Sequence, residues 1–177
     1  MGGSGGYDAP VGVTEPISTG GEREVLEAFL DFYRDVIVRK VQGLSDEQAR
    51  QRRVPSETTL AGLVKHLTGV ERGWFERRLA QRAVDEIDGH VGGGDESWLL
   101  TGEWDTVEAL IAEYRGVCEQ SRRTAARFQL DDEVPHPRLG RVSLRWIYVH
   151  MIEETARHAG HADILREQTD GATGVEG

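Results

Sequence analysis

Leu144-Arg-Trp-Ile-Tyr-Val-His150-Met-Ile-Glu-Glu154-Thr-Ala-Arg-His158-Ala-Gly-His161-Ala-Asp-Ile-Leu165 reads as one amphipathic helix whose inner face is chemically mixed. At about 100° per residue, His150, Glu154, His158 and His161 fall within roughly 80° of one another. Leu144, Ile147, Met151 and Leu165 fill the same half of the wheel. Imidazoles and a carboxylate inside a Leu, Ile and Met stripe are costly to bury unless something pairs them. A lone core histidine is usually satisfied by a hydrogen bond. Several on one face, with Glu154 and His158 spaced i, i+4, point instead to a divalent metal.

The flanking sequence repeats the helical period. Leu26, Phe29, Leu30, Tyr33, Val36 and Ile37 predict a first helix from about Glu22 to Val41. Leu60, Leu63, Leu67, Val70 and Trp74 predict a second, from Thr58 or Thr59 to about Ala80. A third is predicted over Thr106 to Phe128, and the fourth over Ser143 to Gln168. Ser45-Asp-Glu-Gln48 has the form of a capping box and starts one short helical turn. No stretch alternates well enough to predict a strand. The expected fold is all-α, a four-helix bundle. Residues 84–104, around Gly89-His-Val-Gly-Gly-Gly94, and the Pro-containing Asp131 to Arg141 are expected to set long loops over one end of it. Residues 1–20, rich in Gly, Pro, Ser and Thr, are expected to be a flexible N-terminal segment, 21–170 the metal-binding bundle, and 171–177 a C-terminal tail.

Composition narrows the function. The 177 residues suit one domain with a real core. A net charge of −10, from 31 acidic and 21 basic residues, argues against a nucleic-acid partner. Arg50 to Arg53 and Arg122-Arg123 are short basic pieces flanked by acids and read as solvated surface. The single cysteine, Cys118, continues the apolar spacing of Val107, Leu110, Ile111 and Tyr114, so it reads as a small core residue. It cannot form an intrachain disulfide, which fits a reducing cytoplasm. No apolar run approaches the ~20 residues of a membrane span, and no signal core opens the chain. A cytoplasmic protein without a membrane partner is expected, with a homodimer left open.

A zinc site that does chemistry keeps three protein ligands and one open position. Glu154 and His158 offer two ligands one turn apart, and His66, at the edge of the second helix's stripe beside Leu63 and Val70, offers the third. Paired cysteines are absent, which excludes a structural thiolate site. Met151 after His150 excludes the helical metalloprotease signature, and Arg157 three residues after Glu154 excludes a di-iron motif. His150 and His161 flank the ligand pair and are expected to orient a ligand or substrate. Arg157 is a candidate for holding a substrate carboxylate. His90 in the Gly-rich loop and His136 between Pro135 and Pro137 read as solvated. Trp74, Trp98 and Trp146 read as core packing or as walls of a pocket.

Thr59-Leu-Ala-Gly-Leu-Val-Lys-His66-Leu, Val70-Glu-Arg-Gly-Trp-Phe75, Leu144-Arg-Trp-Ile, the His150 to His161 string with Ala162-Asp163, and Asp170-Gly-Ala-Thr173 together resemble the DinB-like superfamily, and most closely its actinobacterial branch. The likeness covers nearly the whole chain from about Tyr7. It implies a four-helix bundle holding a divalent metal through one His of the second helix and a His-x3-His or Glu-x3-His pair of the fourth. Those positions match His66, Glu154 and His158. The Glu-x3-His pair is similar to that of the mycothiol-dependent maleylpyruvate isomerase, and other understood relatives are mycothiol or bacillithiol S-transferases. The resemblance thus implies a metal-dependent thiol S-transferase or isomerase, in which a low-molecular-weight thiol such as mycothiol, as a metal-bound thiolate nucleophile, attacks a small electrophile. One zinc or nickel ion suits the donor set. The alternative is a non-catalytic metal-bearing stress or small-molecule-binding protein. The candidate catalytic residues are His150, Arg157 and His161.

Overall fold

The computed structural model describes residues 18–94, 98, 102 and 105–174. The segment expected to be flexible therefore lies outside the described residues up to 17, as do part of the 84–104 connection and residues 175–177 of the tail. The chain is mainly helical. The order is α1 (Glu22–Val41), the short α2 (Asp46–Ala49), α3 (Leu60–Glu71) running on as a π-helix (Arg72–Leu79), a 3-10 turn (Val84–Glu86), α4 (Val107–Ala125), β1 (Glu133–His136), β2 (Gly140–Ser143) and α5 (Leu144–Asp170).

The starts of α2, α3, α4 and α5 are each fixed by a residue whose side chain satisfies a backbone donor of the first turn. Ser45 and Gln48 form the expected reciprocal box, with Gln48 N–H donating to Ser45 Oγ and Ser45 N–H to Gln48 Oε1. Thr59 Oγ1 accepts from Gly62 N–H at 2.9 Å, and Ser143 Oγ accepts from Trp146 N–H at 3.2 Å. Gly171 ends α5 in the left-handed region, φ +81°, where a side chain would be strained.

α1 packs chiefly along α5 and α3 along α4, and α3 also meets α5. Two apolar clusters result. One holds Ile37, Leu63, Leu67, Leu110, Ala162 and Leu165, and the other Leu30, Phe75, Leu79, Leu144, Ile147 and Met151. On α5 the second cluster ends at Met151 and the first begins at Ala159, so Glu154 and His158 fall between them. No described helix is long and apolar enough to cross a membrane.

The expectation of no strands is corrected by β1 and β2, an antiparallel pair in register Val134↔Val142 and His136↔Gly140. Val134 and Val142 join the second apolar cluster. The strands are four residues each, too short for alternation to stand out. Pro135 is tolerated because both strands of a two-stranded sheet are edges, and Gly140 takes the φ of +75° that closes the three-residue loop.

Candidate functional site

His66 projects from α3, and Glu154 and His158 from one face of α5. Their donor atoms lie within 4.8 Å of one another. Glu154 Oε1 is 3.2 Å from His66 Nε2 and 3.1 Å from His158 Nε2. Neighbouring donors around a tetrahedral zinc, with bonds of about 2.0–2.1 Å, stand about 3.3–3.4 Å apart. The donor set therefore fits a divalent ion with little movement. Both imidazoles are buried, at 4% and 6% exposure, whereas the Glu154 side chain keeps 20%. Hydrogen bonds from His158 and His66 hold the Glu154 carboxyl far below the usual carboxylate range, against the opposing effect of burial.

Two neighbours fix the imidazole rings. Trp98 stacks on His66, centroids 4.3 Å apart and planes within 11°. His161 Nδ1 lies 3.4 Å from His158 Nδ1, on the far side of the ring from Glu154. Burial, followed by His158 and Arg157, lowers the His161 pKa and favours the neutral ring, whose bare nitrogen can accept a hydrogen bond from its neighbour. That is the place of a group that orients a ligand. Among the described residues His150 has no bond to His66, Glu154 or His158. It stacks on Trp146, with centroids 5.2 Å apart, and meets Trp74 edge-on at 4.6 Å. Arg157 is exposed and does not line the cavity beside the site.

That cavity, of about 480 Å³, opens on Glu154. Val70, Gly73, Trp74, Arg77 and Arg78 form one wall, at the i, i+3, i+4, i+7 and i+8 positions of α3 and its π-helical continuation. Trp146 and His150 of α5 form another, and the two long connections complete it with Gly92 to Gly94 and with His136, Arg138 and Leu139. The glycine loop lies directly on α3. Gly92 N–H donates to Gly69 O at 2.7 Å, and a Cβ on Gly69 would stand 2.6 Å from Gly92 O. A Cβ on Gly93 would stand 2.9 Å from His66 Cε1, so the loop also packs on the His66 ring.

Of the two histidines read as solvated, His136 is buried and His90 half-buried. His136 is 8% exposed, stacks on Trp74 at 5.6 Å, and its Nδ1 accepts the Leu139 N–H at 3.1 Å. Flanking prolines suggested an open loop, but the hairpin turns the ring inward. His90 packs on Gly69, and its Nε2 is buried without a hydrogen-bond partner among the described residues. Arg77, Arg78 and Arg138 were not singled out by sequence. Arg77-Arg78 is a short pair, and its convergence with Arg138 depends on the hairpin.

The model of a protein family described as Mycothiol-S-transferase matches residues 25–171. This family lies within the DinB-like superfamily, as the sequence strings suggested. No curated protein and no solved structure matches the chain.

Proposed function

The chain belongs to the mycothiol-S-transferase family, and on that premise we propose that it joins the sulfur of a low-molecular-weight thiol, mycothiol or a close analogue, to a small electrophile at His66, Glu154 and His158. The observation that carries this reading is the convergence of those three donors where a 480 Å³ cavity meets α5. The four long helical segments are then the four-helix bundle of the DinB-like type, and residues 21–170 its single domain.

Zinc or nickel held by this set supplies the Lewis acidity that keeps a thiol as thiolate at neutral pH, where free thiols of pKa about 8.5 are mostly protonated. Glu154 contributes one negative charge against two neutral imidazoles, so the loaded site stays net positive and favours an incoming anion. His161 holds the His158 ring through its far nitrogen, and Trp98 covers His66. His150, Trp74 and Trp146 shape the wall against which the electrophile rests. Sulfur forms a bond to the electrophilic carbon, the leaving group departs with its electron pair, and the thiol proton passes to solvent.

The test is consumption of monobromobimane by the zinc-loaded chain with mycothiol, bacillithiol, glutathione or cysteine, followed by mass spectrometry. A selective acceleration with one thiol, lost in His158→Ala, is expected. Rates equal to the protein-free control for all four thiols would leave the non-catalytic binding protein as the better reading.

A further inference from the structure

Arg77, Arg78 and Arg138 converge on the cavity from the end of α3's π-helical continuation and from the hairpin loop. Several other arginines close on acids: Arg72 on Glu113, Arg82 on Glu76, Arg122 on Asp31 and Arg145 on Glu22. These three have no carboxylate partner among the described residues, in a chain whose acids outnumber its bases 31 to 21. Among the described residues Glu154 is the only acid in the lining, and two imidazoles already engage it. The Arg78 pKa is lowered, first by burial and then by Arg77 and Arg138, which places the three guanidiniums within each other's field. Uncompensated cations at a concave, partly apolar site attract an anion. Guanidinium forks match a carboxylate in particular.

We propose that this wall is the subsite for the acid group of the electrophile. Arg77, Arg78 and Arg138 hold a carboxylate, Trp74 and Trp146 take the apolar body, and the reacting carbon is left facing Glu154. The assignment rests on the thiol-transfer reading and narrows it: the substrates are small carboxylic acids bearing an electrophilic carbon. Mycothiol has no carboxylate of its own, so the acid belongs to the other substrate.

Binding and turnover test this separately. Benzoate and its neutral isostere benzamide are titrated into the zinc-loaded full chain by calorimetry. Benzoate should bind about tenfold tighter or more, the scale of one or two charge-assisted hydrogen bonds. The preference should shrink with added salt, collapse in Arg78→Gln/Arg138→Gln, and survive in His158→Ala. Circular dichroism confirms that the variants are folded. Equal affinity for the two ligands, or a preference untouched by the arginine substitutions, overturns the subsite.

In the second arm, mycothiol is alkylated by iodoacetate or iodoacetamide; the S–C bond forms as iodide leaves with the C–I electron pair. Each rate is divided by its uncatalysed rate. A larger enhancement for iodoacetate supports the assignment, and equal enhancements overturn it. If benzoate binds selectively while neither alkylation is accelerated, the anion subsite stands and thiol transfer is what fails.

Discussion

Two of the polar clusters that interrupt the apolar interior draw on α3. His66 faces Glu154 and His158 of α5, whereas Glu71, five residues on and so about 140° around the helix, faces Arg34 of α1. The second cluster is closed. Arg34 Nε and Nη2 each donate to a Glu71 oxygen at 2.7 Å, Nη1 donates to Asp31, and the two side chains are 5% and 1% exposed. Both Glu71 oxygens and all three Arg34 nitrogens are used. The first cluster is open: one carboxylate oxygen serves two imidazoles, Glu154 keeps a fifth of its surface, and a cavity adjoins it. Buried charge alone therefore does not mark a site. What marks it is a set of donors aimed at one point, one of which, Glu154, is left facing a cavity.

The largest expected effect lies in the closed cluster. Glu71→Ala strands the buried Arg34 guanidinium with Asp31 alone and should cost about 3–5 kcal/mol of stability by urea unfolding. Glu154→Ala, in metal-free protein, should cost about 1–2 kcal/mol, less than Glu71→Ala, because it removes a partner from two buried rings but water reaches the position and can replace the carboxylate. An Arg34→Met/Glu71→Leu double variant should recover most of the Glu71→Ala loss. Equal destabilisation by Glu71→Ala and Glu154→Ala would erase the distinction between the clusters.

Metal affinity should reverse that ranking. His66→Ala and His158→Ala are each expected to weaken zinc binding by about 100-fold or more, since even groups that merely orient ligands are worth 10–100-fold. Glu154→Gln should weaken it less than either, as an amide oxygen still ligates without the charge. Glu71→Gln should leave it unchanged in the folded fraction. Gly93→Ala should lower affinity about tenfold, because its methyl group presses on His66 Cε1 and Val70. Chelator competition and metal analysis give these values. Removing the metal should leave near-native helicity with a lower melting temperature, since the two apolar clusters hold the helices; complete loss of helix would make the site structural.

The open cluster could be read from sequence and the closed one could not, for a physical reason. Glu154 and His158 are local, one turn apart, on a face whose Leu, Ile and Met neighbours declare it buried, and His66 sits on an equally plain stripe. Arg34 and Glu71 each look like solvent-facing residues of an amphipathic helix until the helices pack. The same holds for Arg77, Arg78 and Arg138, which are brought together by a hairpin of four-residue strands. Helical period spans many residues and survives averaging, while contacts across long sequence separations leave no periodic trace.

The smallest expected effect concerns the one thiol of the chain, which belongs to the closed cluster. Cys118 is 3% exposed on α4, beside Tyr114 and close to Arg34 and Glu71. Arg34 and Arg122 are cations near enough to favour a thiolate, a feature the sequence did not reveal, yet burial and the Glu71 carboxylate outweigh them and push the thiol far up. It should therefore be inert to iodoacetamide in the folded protein and react only on unfolding. Cys118→Ala should retain full thiol-transfer activity and metal content, at a cost of about 1 kcal/mol for the small cavity left. Loss of turnover in a folded, metal-loaded Cys118→Ala protein would move the nucleophile from an incoming thiol to the chain itself, and would make the closed cluster the reactive one.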